Sequence, residues 1–400
     1  QDAGVSGFLH PEGIYDDPKG GKFREAVYPR LKGHFQFQNE LNLFAEVDHH
    51  AKFSINIFST PIENKITYHH LANLYAPSTV DKCFEHSGFG PVPGIKDDNN
   101  KWNTKGHKER VIQCTQEELA LFARLYDAEG TPPLAARLPA VHSTQIVEVL
   151  RKFAEHPRRL GDLKGEYYST VMWDETNAVK KTHTIKRHTC FPRDASQWIL
   201  SGPHFFVGNP FYKTPRTKCT QNSHYDILDL TTLPDDYLPR TNYVPDCDAE
   251  EYRRRTPRFR TKDGEMVVTD CYRFVNRRMF GTSSEHSFIS AIVPQKAGHI
   301  NTAVSTVFSD VMILISFAGL SFSLVYDFFL KSTGKSDLYG NGLDVFPYLT
   351  NKSIQLRTLM LSSLTSYYSQ LWGDCWQNKF LNDKWAKSDS RLPNSFFTDL

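Results

Sequence analysis

The residues best suited to chemistry lie between Glu251 and Arg278. There Arg253, Arg254, Arg255, Arg258, Arg260 and Lys262 lead into Tyr272-Arg273-Phe274-Val275-Asn276-Arg277-Arg278. A guanidinium presents its donors as a planar fork that matches phosphate oxygens and the O6 and N7 acceptors of guanine. From Tyr252 to Arg278, nine Lys/Arg stand against Asp263, Glu265 and Asp270, in a chain whose formal net charge is only +2. A helix laced with internal ion pairs would mix the signs, so the imbalance points to an external polyanion such as nucleic acid. The competing reading of such a run is a solvated face.

Just upstream, the segment from Asp235 to Pro245 is stiffened by Pro239 and Pro245 and projects Arg240, Asn242 and Tyr243. Arginine to guanine and asparagine to adenine are the direct major-groove pairings; a structural proline loop is the alternative. Thr333-Gly334-Lys335-Ser336 ends like a P-loop, but Phe329 stands where the first glycine is required, and the preceding residues read as helix. What remains is a polar loop that meets a DNA phosphate through Lys335 and Ser336.

Other candidate motifs carry less. Asn209-Pro210-Phe211-Tyr212 approximates the Asn-Pro-Pro-Tyr of adenine-specific DNA methyltransferases, where the asparagine and a proline carbonyl hold the amino group of a flipped base. Phe211 replaces the second proline and no strand with a GxG cofactor turn precedes it, so a proline-fixed turn is expected. Adjacent histidines in a strand face opposite ways, which makes His49-His50 and His69-His70 surface or core residues and leaves no metal site. The seven cysteines never form a CxxC pair, which fits a reducing, cytoplasmic compartment without a zinc ribbon. No GxSxG nucleophile elbow occurs.

The elements that must position these residues read as an α/β chain, 40% hydrophobic and 23% charged, large enough for two or three domains. Phe23 to Leu31 is an amphipathic helix, and His34 to Gln38 and Lys52 to Phe58 alternate as strands of an open sheet. Pro77 to Asn103 is loop-like. Thr115 with Glu118 forms a capping box, and Ser143 opens a helix that Pro157 stops. Beyond Glu166, strands are expected at Tyr167–Trp173, Trp198–Leu200, Phe205–Val207, Tyr272–Val275 and Phe288–Val293, with helices at about Asn301–Leu330 and Lys352–Trp376. The apolar run from Val311 to Tyr326 falls short of the roughly twenty residues a membrane span needs and reads as a buried helix. No secretory leader is expected, and a chain that opens on Gln1 reads as part of a longer polypeptide.

With these residues in view, the chain resembles the C-terminal portion of large adenine-specific DNA methyltransferases of bacterial phage defence, those of type IIG restriction-modification, DISARM and BREX systems. The resemblance rests on Gly7-Phe8-Leu9-His10-Pro11-Glu12-Gly13, Phe23-Arg24-Glu25 and Phe53-Ser54-Ile55-Asn56-Ile57, then on Arg273 to Met279, Ser284 to Pro294 and Thr333 to Leu338 in the same order. The family commonly has Glu-Arg-Thr where this chain has Glu285-His286-Ser287.

The resemblance implies trailing strands of a Rossmann-like methyltransferase sheet over residues 1–76, a loop and helical connector over 77–165, and a mixed α/β target-recognition domain over 166–400. It implies DNA sequence recognition for an S-adenosylmethionine-dependent adenine-N6 methyltransferase in a bacterial cytoplasm, with double-stranded DNA and nuclease or helicase subunits as partners and no membrane. The catalytic and methyl-donor motifs would lie upstream of Gln1. Arg253, Arg255, Arg258 and Lys262 would then neutralise phosphates. Arg240, Asn242, Arg277 and Arg278 would reach base edges, with Tyr243 and Arg273 beside them. Two other readings stand next to this one: a complete methyltransferase using Asn209 to Tyr212, and a protein-docking module of a defence complex.

Overall fold

Strict alternation in His34-Phe35-Gln36-Phe37 and Phe53-Ser54-Ile55-Asn56 does give paired strands, and they begin the first of two compact units. The computed structural model describes residues 4–61, 65–261, 264–281, 284–333, 335–393 and 396–397. One unit comprises residues 1–157 and 329–335, the other 158–328 and 336–400. The whole is α/β, as expected.

In the first unit the order is β1 (Val5–Pro11), α1 (Gly13–Asp16), α2 (Gly21–Val27), β2 (Leu31–Gln38), β3 (Lys52–Ser59), β4 (Thr67–Leu74), α3 (Ser78–Glu85), β5 (Ile112–Thr115), α4 (Gln116–Tyr126) and α5 (Thr144–Glu155). The five strands form one sheet in the order β1-β3-β2-β4-β5. Because β3 is antiparallel to both β1 and β2, those two strands run the same way, and α1 with α2 makes their crossover. β4 pairs parallel with β2 and antiparallel with β5. Cys83 of α3 packs with Phe37, Phe53, Leu71 and Leu74, so the stretch from Pro77, expected as loop, opens as a helix packed on the core of the sheet. Thr115 and Glu118 close the capping box of α4, and α5 ends before Pro157, both as the sequence indicated.

A buried polar chain crosses this unit. The Nε2 of His34 lies 3.2 Å from Glu12, its Nδ1 lies 2.9 Å from Nδ1 of His70, and Nε2 of His70 lies 3.1 Å from the carbonyl oxygen of Pro139. A carbonyl only accepts, so His70 donates from Nε2 and leaves Nδ1 bare; His34 must then donate from both nitrogens, which makes it an imidazolium opposite the Glu12 carboxylate. Burial would raise the Glu12 carboxyl, but the His34 charge and hydrogen bonds from His34, Ser54 and Gln36 outweigh it and hold the group at about 2. Burial takes His70 down to about 3 and keeps it neutral.

The second unit contains β6 (Tyr167–Thr170), α6 (Glu175–Lys180), β7 (Ile185–Cys190), β8 (Ile199–Leu200), β9 (Lys213–Pro215), β10 (Tyr225–Ile227), β11 (Thr241–Pro245), α7 (Ala249–Arg255), β12 (Arg258–Thr261), β13 (Gly264–Val267), β14 (Arg273–Arg277), β15 (Ser290–Val293), β16 (Gly298–His299), β17 (Ala303–Phe308) and α8 (Val311–Ser321). After them come α9 (Leu324–Ser332), whose last residues count with the first unit, α10 (Lys352–Ser362) and α11 (Ser369–Cys375). Its central sheet runs β15-β14-β17-β6, antiparallel throughout. Two-stranded ladders, β7 with β11, β9 with β10 and β12 with β13, accompany it.

Two expectations are corrected here. The helix expected from about Asn301 is strand β17 up to Phe308, because Val304-Ser305-Thr306-Val307 is rich in β-branched residues and is buried on both faces. Helix begins only after Asp310, whose carboxylate accepts the Met312 amide at 2.7 Å. The apolar run that follows is broken into α8 and α9, and among the described residues no single helix is long and apolar enough to cross a membrane. The strand expected at Phe205–Val207 is instead a turn: Phe206 and Asn209 bridge across Gly208, which sits at φ 67°.

Candidate nucleic-acid interface

The arginine block pairs with itself. Asp248 caps α7 by accepting the Glu251 amide at 2.8 Å, which sets Glu251 one turn ahead of the arginines. Glu251 takes Arg254 at 2.6 Å and Arg255 at 2.5 Å, and Arg255 also donates to Thr184 Oγ1 at 2.8 Å. The fork of Arg253 meets both oxygens of Asp270 at 2.7 Å. On the β12–β13 hairpin, Arg258 and Arg260 converge on Glu265 at 3.4 and 3.0 Å. The unbalanced count began one residue after Glu251, and the fold folds Asp270 and Glu265 back onto the cations. Hydrogen bonds from Arg254 and Arg255 hold the Glu251 carboxyl at about 2. Lys262 lies outside the described residues.

Several expected base readers are internal. Asn242 is buried, donating to the Tyr225 hydroxyl at 2.9 Å and accepting from Thr189 at 2.9 Å. Tyr243 is buried and donates to Glu175. Arg273 is fully buried in the central strand β14, donates to the Ala297 carbonyl, and has its pKa drawn down to about 10 by burial. Arg277 spends its guanidinium on the carbonyls of Gly202 and Phe205, both at 2.8 Å. None of these four offers its polar groups to a groove; the reason is that β11 and β14 are covered on both faces, so their polar side chains close backbone and core hydrogen bonds instead. Arg278 lies over the Tyr339 ring at 5.6 Å with Asp337 at 3.4 Å. Lys335 lines a small cavity of the first unit with Asp16 and Arg137, and burial lowers its pKa. Ser336 is exposed in the second unit, and its carbonyl accepts the Phe280 amide at 2.9 Å.

What the second unit does present is a cleft of about 720 Å³. Lys186, His188 and Cys190 alternate along β7 and so share the face that floors it, beside Val244 of β11. Arg253 and Tyr252 of α7 form one wall, and Arg193 and Lys296 stand among the other lining residues. Four Lys/Arg line the cleft against one acid, Asp270. Asp270 neutralises Arg253, and Asp246 lies 3.1 Å from Lys186. His188, Arg193 and Lys296 are exposed and form no ion pair among the described residues, although the charge of Lys296 reaches the Asp194 carboxylate that follows Arg193. Lys296 is held at φ 69°, a left-handed conformation uncommon for a residue with a Cβ.

Phe191 lines the same cleft, 52% exposed, with the Arg240 guanidinium 4.2 Å from its ring centre. Tyr237 meets it edge-on at 6.4 Å. An arginine-backed ring beside exposed cations can stack a base while the cations hold phosphates. Of the residues singled out in the sequence, Arg253 lines this cleft and Arg240 stands at its rim. Lys186, His188, Arg193 and Lys296 were missed. Ile185-Lys186-Arg187-His188-Thr189 carries no apolar–polar alternation that would mark β7, and Arg193 and Lys296 are isolated cations that no linear pattern marks.

The Asn209 loop is a turn, as its proline suggested. Asn209 Oδ1 accepts the Phe211 amide at 2.9 Å, Phe211 is buried against Trp198, and Tyr212 packs on Phe206. Of the two histidine pairs, His69 is exposed and His70 buried, on opposite faces of β4 as expected. His49 and His50 are not: they lie in a turn, their ring centres only 3.8 Å apart. Opposite-face geometry needs a strand, and Asp48 nucleates a turn instead by accepting the His50 amide at 2.8 Å.

No family model matches this chain, and no curated protein does. Among solved structures, that of the type IIG restriction endonuclease BpuSI is similar at 13% identity with a TM-score of 0.28, over 90% of this chain and 42% of that one. The chain thus spans well under half the length of the structure it matches.

Proposed function

We propose that this chain recognises double-stranded DNA for an S-adenosylmethionine-dependent adenine-N6 methyltransferase of bacterial restriction-modification or phage defence, and that the cleft of the second unit is where the duplex binds. The observation that carries the reading is the grouping of His188, Arg193, Lys296 and the Arg240-backed Phe191 around one groove. Exposed cations supply phosphate contacts, whose counterion release makes affinity fall with salt. Phe191 supplies a ring for a base displaced from the stack, the step an adenine methyltransferase requires. The resemblance in the sequence supplies the reaction and the partners, nuclease or helicase subunits among them.

On this reading methyl transfer belongs to another part of the parent enzyme. In the described part of the first unit no strand runs into a GxG turn that opens a helix, which is what a methyl-donor site would use, so no step is routed through the donor here. A complete enzyme working at Asn209 would need that carboxamide for the target amino group, whereas it is engaged by the Phe211 amide. Calorimetry with S-adenosylmethionine separates the two: no heat of binding is expected from this chain, and stoichiometric binding would favour the complete enzyme. Selection of bound duplexes from a randomised DNA pool tests the recognition reading. Enrichment of a short adenine-containing motif is the expected result; absence of DNA binding at moderate salt would replace it with a protein-docking role.

A further inference from the structure

We propose that the loop between β2 and β3 in the first unit binds one divalent transition-metal ion of the zinc class through Glu40, His49 and His50. One ligand atom from each of the three lies within 4.8 Å of the others, and His50 Nδ1 stands 3.1 Å from a Glu40 carboxylate oxygen. Ligands on a tetrahedral zinc at about 2.0–2.1 Å are separated from each other by about 3.3 Å, so a small closure of the three groups brings them to bonding distance. Two imidazoles and a carboxylate suit zinc, copper, nickel or iron and are a poor set for magnesium or calcium, which prefer oxygen alone.

The loop is built to hold that arrangement without a metal. Asn39 is fully buried; its amide donates to the carbonyls of Phe44 at 2.9 Å and Val47 at 2.8 Å, and its Oδ1 accepts the Phe44 amide at 2.9 Å. Its backbone amide reaches Ala51 at 3.0 Å and ties the two ends of the loop together. Asn42 takes the left-handed turn at φ 52°, and Asp48 fixes the turn that puts both imidazoles on one side. Gln38 donates to the Glu40 carboxylate at 3.1 Å, the kind of outer contact that orients a metal-bound carboxylate. A loop already held in its binding geometry loses little entropy on binding. Three protein ligands leave a fourth position open, and with the His50 side chain 68% exposed that position faces solvent.

Zinc chloride titrated calorimetrically into the chelator-treated, tag-free chain tests the site. About one zinc per chain is expected, with His49→Ala, His50→Ala and Glu40→Gln each removing the isotherm and Gln38→Ala weakening it about tenfold. Cobalt(II) should give a tetrahedral visible spectrum that the same substitutions abolish. Circular dichroism of each variant separates loss of ligands from loss of fold, and His69→Ala, which removes an exposed histidine outside the cluster, should bind as the parent does. No stoichiometric zinc binding, or binding that survives all three ligand substitutions, overturns the proposal.

Discussion

The arginine block from Arg253 to Arg260 and the cleft around Lys186, Arg193 and Lys296 show how little linear charge density says about presented charge. The block holds the highest concentration of cations in the sequence, yet Glu251, Glu265 and Asp270 engage every arginine in it. The cleft draws its cations from β7, the turn after it and the loop after β15, positions more than a hundred residues apart, and leaves Arg193 and Lys296 outside any ion pair among the described residues. An ion-paired surface arginine is already satisfied and screened, so a phosphate must compete with a carboxylate for it. A cation placed by the fold outside any ion pair is available to a polyanion.

The largest effect that sharpens this contrast concerns stability. Arg277→Ala leaves two buried carbonyls, those of Gly202 and Phe205, without their charged donor, and should cost about 2–4 kcal/mol in denaturant unfolding. A variant as stable as the parent but defective in discriminating DNA bases would return Arg277 to the surface role its sequence position suggested. Phe191→Ala comes next, with an expected loss of about 1–3 kcal/mol in affinity for single-stranded or mismatched sites and little change in fold, measured by fluorescence anisotropy. Smallest of all, Arg254→Ala should leave both the unfolding midpoint and DNA affinity within about twofold of the parent.

Acid titration compares buried with exposed pairing. The Glu12 carboxyl is held down in the fold, so its contribution is complete above its ordinary value near 4.5 and is lost as pH falls toward about 2. His70 is held neutral by burial, so its contribution is complete above about 6.5 and is lost as pH falls toward about 3. Both slopes make the first unit weaken on acidification from pH 6.5 downward. High salt should screen the exposed Glu251 pairs and leave this buried response unchanged, which urea unfolding at two ionic strengths would read. A response that vanishes in salt would contradict the buried pair.

Local rules were legible where local forces decide. The Thr115–Glu118 cap, the Pro157 stop, the β2 and β3 alternation and the Asn209 turn all depend on residues within a few positions of one another. Strand β17 was hidden because it is buried on both faces and runs into the apolar helix α8, so no alternation marks the change. The candidate site was legible at Arg240 and Arg253 alone, since residue type does not say whether an acid distant in sequence will close on a cation. The His49-His50 pair is exposed, one of the two placements expected, but not for the reason given: the opposite-face rule holds only in a strand, and Asp48 makes a turn.

The most direct test is a matched pair of charge reversals followed in DNA binding across salt concentration: Arg193→Glu with Lys296→Glu in the cleft, and Arg254→Glu with Arg260→Glu in the block. The cleft pair should lose at least about tenfold in affinity and flatten the log-affinity against log-salt slope by about two, while the block pair keeps most of both. Loss confined to the block pair, with the cleft pair binding as the parent does, would contradict the assignment of the cleft as the DNA surface.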